Sequence, residues 1–159
     1  MAFYYNLAID FGSNQSSASE AMDSFKGFQI ENLGNDIDPV LIEEISLDEV
    51  RGLWIVGIWP KGMAYGIQGV SRYELFENEE NLKRIEQRFV DALKSVKGYR
   101  RALFGAEAVE SFTGATPEED DDIDWIGLVF SKDHFPEIPE GIETKAFTDG
   151  YLRVASVSR

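Results

Sequence analysis

The most apolar window of the chain, Leu53-Trp54-Ile55-Val56-Gly57-Ile58-Trp59, restricts the fold more than any other segment. A run rich in β-branched and aromatic residues and free of charge fits a strand inside a sheet. Pro60-Lys61-Gly62 then punctuates the sequence before Met63 to Val70, so the two apolar segments read as a central antiparallel hairpin.

Around that pair the periodicity changes several times. Phe3 to Ile9 reads as a strand ending near Asp10-Phe11-Gly12, after which Ser13 or Asn14 can cap a helix. From Gln15 to Phe25 the residues Ala18, Ala21, Met22 and Phe25 recur at helical spacing, with Glu20 and Asp23 turned outward. Gly27, Gly34 and the Asn35-Asp36-Ile37-Asp38-Pro39 run mark loop, with a short strand around Phe28 to Ile30. The longest helix follows, with Leu82, Ile85, Phe89, Leu93 and Val96 stepping by three or four along one stripe and Gly98 as its stop. Asp124 to Ser131 and Lys145 to Val157 read as further strands, the latter folded back at Thr148-Asp149-Gly150. Strands joined by hairpins, with two convincing helices, predict an α+β fold: a mostly antiparallel sheet with two main helices packed on one face. At 159 residues the chain reads as a single globular domain, with an acidic loop around 115–124.

Charge narrows the classes of function. Fifteen Lys and Arg against twenty-nine Asp and Glu leave a net charge of −14, which repels nucleic acid and anionic membrane and attracts a basic protein. There is no cysteine, so disulfides, thiol nucleophiles and thiolate metal sites are excluded, as suits a reducing compartment. Met1-Ala2-Phe3-Tyr4-Tyr5 carries no Lys or Arg, and Asn6 and Asp10 interrupt the apolar run that follows. That is neither a signal-peptide pattern nor a membrane span, and the cytoplasm is the expected compartment. No cofactor or metal motif is expected.

The densest local feature is Glu118-Glu119-Asp120-Asp121-Asp122-Ile123-Asp124, preceded by Pro117. Carboxylates this close must lie in water or against cations, so the segment is either a solvated loop or a docking surface for a basic partner. Its spacing lacks the alternating ligands, central Gly and distal Glu of an EF-hand loop. If it is a docking surface, Glu118, Glu119, Asp120, Asp121, Asp122 and Asp124 are its contact residues. Charge is also segregated: residues 1–80 are net −10, whereas 83–101, with Lys83, Arg84, Arg88, Lys94, Lys97, Arg100 and Arg101, are net +5. Cations late in a helix suit its dipole, so that segment reads as the outer face of the amphipathic helix.

Other residues offer chemistry on less support. Ile9-Asp10-Phe11-Gly12-Ser13-Asn14-Gln15-Ser16-Ser17 resembles the first phosphate motif of the actin-like and sugar-kinase ATPases, but the second phosphate loop and the adenosine loop have no counterpart. A strand end running into a capped helix explains the same residues. His134, the one histidine, lies in Ser131-Lys132-Asp133-His134-Phe135-Pro136 and reads as a turn residue; as a general base it would need an oriented nucleophile. Trp54, Trp59 and Trp125 sit within expected strands, so most of them should be core, with Tyr65, Tyr73 and Tyr151 nearer strand ends; core packing is the better reading, and an interface anchor at one or two of these aromatics is the other.

Tyr99-Arg100-Arg101-Ala102-Leu103-Phe104-Gly105-Ala106-Glu107-Ala108, then Gly127-Leu128-Val129-Phe130-Ser131, then Phe147 with Gly150-Tyr151-Leu152, resembles the layout of small bacterial immunity proteins that neutralise polymorphic or contact-dependent toxins. The resemblance spans about half of the chain and transfers no binding residue. It implies a cytoplasmic inhibitor that holds a toxin domain, often a basic nuclease, by charge complementarity and a few buried anchors. Two other classes stand beside it: a small hydrolase or transferase using His134 with acids such as Asp133, and a structural or assembly subunit that buries aromatics against its own copies.

Overall fold

In the computed structural model, which describes residues 3–31, 33, 39–65, 79–114 and 126–158, the chain builds its sheet around β1 (Phe3–Asp10). Across the sheet the order is β2 (Gln29–Ile30), β3 (Val40–Val50), β4 (Leu53–Pro60), β1, β6 (Arg101–Ala106), β7 (Val129–Ser131), β9 (Tyr151–Val157) and β8 (Ile142–Thr148). A short β5 (Ala64–Tyr65) pairs with the start of β1, and every pairing is antiparallel.

The two faces of the sheet follow from strand alternation. Leu7 and Ile9 of β1, Val56 and Ile58 of β4, and Ala102 and Phe104 of β6 share one face and one core. That core is closed by α1 (Gln15–Phe25), through Ala18, Ala21 and Phe25, and by α2 (Glu79–Leu93), through Ile85, Phe89 and Leu93. On the opposite face Ala8, Ile55, Leu103, Phe130 and Val154 pack with Val109 and Phe112 of a short third helix, α3 (Ala108–Gly114). The chain is therefore an α+β protein with its two main helices on one face, and α3 is an addition that periodicity over seven residues is too short to reveal. Buried Asn6 starts α3 from the sheet: its Oδ1 accepts from the Val109 amide at 2.9 Å and its Nδ2 donates to Glu110 at 3.2 Å.

Several elements match their sequence signals. Helix α1 spans the expected residues, with Asn14 as its cap accepting from the Ser17 amide at 3.1 Å. The β8–β9 hairpin turns at Asp149-Gly150, where Gly150 has φ +79°. Helix α2 ends at Leu93 rather than at Gly98; Val96 stays buried but sits in a tightened turn, its amide bonding to the Leu93 carbonyl at 3.1 Å. Gly98, at φ +81°, redirects the chain into β6 and lies so close to α1 that a Cβ there would stand 2.7 Å from the Ser17 hydroxyl.

The central hairpin is a correction. Residues 53–59 do lie inside the sheet, but β4 pairs with β3 and β1 and, among the described residues, makes no hairpin with Met63 to Tyr65; residues 66–70 of the expected second strand lie outside the described residues. Leu7 faces Ile58 and Tyr4 faces Ala64, so three steps along β1 correspond to six along its partner. Pro60-Lys61-Gly62 is thus an excursion after which the chain resumes pairing with the same edge of β1. The true hairpin is β3–β4, closed by Arg51 at φ 54° and Gly52 at φ 77°, the double left-handed geometry of a two-residue hairpin turn. The expected strand from Asp124 is shortened to Val129–Ser131, with Ile126-Gly127 in a turn; Asp124 and Trp125 lie outside the described residues, as does Tyr73. Among the described residues no helix is long and apolar enough to cross a membrane.

Candidate functional site

The acidic run Glu118, Glu119, Asp120, Asp121, Asp122 and Asp124 lies outside the described residues, so the geometry of charge is read from the rest of the chain. Within the acidic region 1–80, four carboxylates belong to one strand at the rim of the sheet: Glu43, Glu44, Asp48 and Glu49 of β3, all exposed. β3 pairs with β4 along its inner edge, whereas β2 meets its outer edge only at Val40 and Leu41. Among the described residues no strand pairs with the outer edge from Glu43 to Val50, and the four carboxylates make no hydrogen bond or ion pair.

A register shift between Ile42 and Glu44 places Glu43 as the extra residue of a bulge. It brings Ile42, Ile45 and Leu47 to the same core, although Ile42 and Ile45 are an odd number of residues apart. Glu44, Ser46 and Asp48 face the other way, opposite Trp59, Gly57 and Ile55 of β4. Trp59 is half-buried and folds back over Gly57, where a Cβ would stand 2.5 Å from the indole and 2.9 Å from Val109. The Ser46 hydroxyl is buried without a partner among the described residues. One rim therefore combines unpaired backbone, free carboxylates and an indole face.

The Asp10-Phe11-Gly12 turn serves another purpose. Asp10 is fully buried, and its two oxygens receive the Gly12 amide at 2.8 Å, Arg100 at 2.7 and 3.3 Å, and Arg101 at 3.1 Å. The Arg101 guanidinium also lies over the Phe112 ring, 4.4 Å from its centroid. With the carboxylate saturated by protein donors and Asn14 committed to capping α1, these residues tie the end of β1 to the start of β6; a phosphate motif is not needed to explain them. Three cations of the basic stretch are likewise paired within the chain: Lys83 with Glu79 at 3.2 Å and Arg84 with Glu80 at 2.5 Å on α2, and Lys94, just beyond its end, with Asp91 at 3.1 Å. Arg153 of β9 completes a bridge to Glu86 at 2.9 Å.

His134 is exposed in the turn after β7, and its amide donates to the Ser131 carbonyl at 3.3 Å. Nearby, Tyr151 donates to the Tyr99 carbonyl at 2.7 Å, and the two rings stack with centroids 4.2 Å apart. The Tyr99 hydroxyl has no partner among the described residues, and burial pushes its pKa far above the ordinary 10.0; burial raises that of Tyr151 too. Both phenols keep their protons in the folded chain at pH values where the unfolded chain releases them. Their contribution to stability is complete below pH 10 and is lost as the pH climbs above it, with a slope of up to about 1.4 kcal/mol per pH unit for Tyr99 and a smaller one for the partly exposed Tyr151. Tyr99→Phe removes an unsatisfied hydroxyl, so denaturant melts are expected to show a gain of about 1 kcal/mol at pH 7 and a shallower alkaline decline. A loss at pH 7 would mean that the hydroxyl is hydrogen-bonded after all.

A groove of about 500 Å³ separates Phe28–Glu31 from Arg88, Asp91 and Ala92 of α2, at the sheet edge formed by β2. Among the described residues no group of three or more His, Asp and Glu side chains is placed to hold a metal ion. Compared with protein-family models, with curated proteins and with solved structures, the chain matches none.

Proposed function

We propose that this chain is a binding module for a basic protein, and specifically an immunity protein that occludes the active site of a basic, nuclease-like bacterial toxin in the cytoplasm. The observation that carries this reading is the row of free carboxylates on β3, Glu43, Glu44, Asp48 and Glu49, on a molecule of net charge −14. Such a rim steers a cationic partner during encounter, and its carboxylates can take the places that substrate phosphates occupy on a nuclease. Glu118 to Asp124 add six carboxylates to the same field and are assigned to the contact in this proposal. The layout of residues 99–108, 127–131 and 147–152 supports it through the resemblance to immunity proteins.

The test is association kinetics with the basic protein encoded beside this gene. Between about 50 mM and 500 mM salt the association rate is expected to fall by about tenfold or more, and charge reversal at Glu44 and Asp48 should reproduce part of that fall at low salt. A rate indifferent to both salt and reversal, or no binding by any neighbouring gene product, overturns the reading.

A further inference from the structure

We infer that the partner docks by adding an extended basic segment to the outer edge of β3, so that the sheet continues into the bound protein. The inference rests on the proposed function and specifies its contact. From Glu43 to Val50 the outer edge offers backbone donors and acceptors that no described strand uses, which is the template for strand addition.

The side chains on this edge select the occupant. A second copy of the chain is disfavoured by symmetry. The two-fold antiparallel pairing that spans Glu43 to Glu49 is centred on Ser46 and sets Glu43 against Glu49 and Glu44 against Asp48, and in any other register the same eight carboxylates still line one seam. A segment alternating basic with small polar residues sets its cations against Glu44 and Asp48, which share one face of the strand. On the face away from α1 its cations would lie between Glu44 and Asp48, beside the half-buried Trp59 indole, where a guanidinium gains from the ring as well as from the carboxylates. The opposite face is closed by α1, with Ile45 and Leu47 already in the core, so small residues suit it. Charged side chains on an exposed strand ordinarily guard it against aggregation. Here one sign only is present, so the guard fails against a partner of the other sign.

The probe is a capped nine-residue peptide alternating arginine with threonine, measured against the intact chain. Amide hydrogen exchange at residues 43–50 is expected to slow by at least tenfold when it binds. Two N-methylated versions separate strand pairing from general attraction, because alternate amides of a strand point to opposite edges: one methylated at the arginines, one at the threonines. One version should lose at least tenfold in affinity while the other binds like the parent. Glu44→Lys with Asp48→Lys, both at exposed positions, should abolish binding of this peptide and admit one alternating glutamate with threonine. Equal binding by both methylated versions, protection on another strand, or no binding by the parent peptide overturns strand addition. Salt-dependent capture of a basic protein could survive each of these results, so failure here is distinguishable from failure of the proposed function.

Discussion

Asp10→Ala is expected to lower the unfolding free energy by about 3–5 kcal/mol, the largest effect foreseen for a polar residue in this chain. Removing the carboxylate strands two guanidinium groups that converge on it. Arg100, with 28% of its side chain exposed, can turn toward water, but Arg101, with 9%, cannot without leaving its stack on Phe112. An uncompensated charge at that depth costs several kcal/mol, and the Gly12 amide loses its acceptor as well. Urea titration measures the loss, and the companion measurement is a double-mutant cycle. Arg101→Met in the Asp10→Ala background should recover much of the stability, because an apolar side chain of similar length can stay against Phe112 with no charge to desolvate. A cost under about 1 kcal/mol for Asp10→Ala would mean that water reaches the cluster and that it does not lock β1 to β6.

Phe89→Ala should cost a comparable 3–5 kcal/mol for a different reason. Phe89 is fully buried on α2, stacked on Phe104 of β6 with centroids 5.0 Å apart and tilted against Phe28 at 5.5 Å. It is the ring that fastens the longest helix to the sheet, and truncation leaves a cavity that neighbours on a rigid sheet cannot fill. Thermal melts should fall by on the order of 10 °C, with exchange in α2 rising before that of the sheet. Phe89→Leu keeps most of the volume and should cost much less, roughly 1–2 kcal/mol. Equal losses for the two substitutions would point to a specific aromatic requirement rather than to filled space.

Legibility of the fold depended on how far apart in the chain the deciding contacts are. Helix α1 was readable from Asn14 and the Ala18, Ala21 and Phe25 stripe because cap and stripe are local. Strand β3 was not, because the Glu43 bulge shifts Ile45 and Leu47 out of phase with Ile42 and hides the alternation by which a strand is recognised. The hairpin assigned to Pro60-Lys61-Gly62 failed for a related reason. A turn-like tripeptide cannot report whether the chain reverses or resumes the same edge, which was settled by β1 pairing with both β4 and β5.

The site divides in the same way. That the chain is acidic follows from a net charge of −14, since charge is carried by residue type alone. That Asp10 ties strands together instead of meeting a phosphate was decided only when the fold brought Arg100 and Arg101 across some ninety residues to its oxygens. That Glu43, Glu44, Asp48 and Glu49 occupy a rim strand, beside Trp59, was likewise a tertiary outcome. Composition and periodicity determined an acidic α+β chain with two amphipathic helices because those properties are sums over neighbours in sequence. Which carboxylates are neutralised within the fold and which remain free is set by long-range strand order, and strand order is chosen by the burial of two whole sheet faces at once.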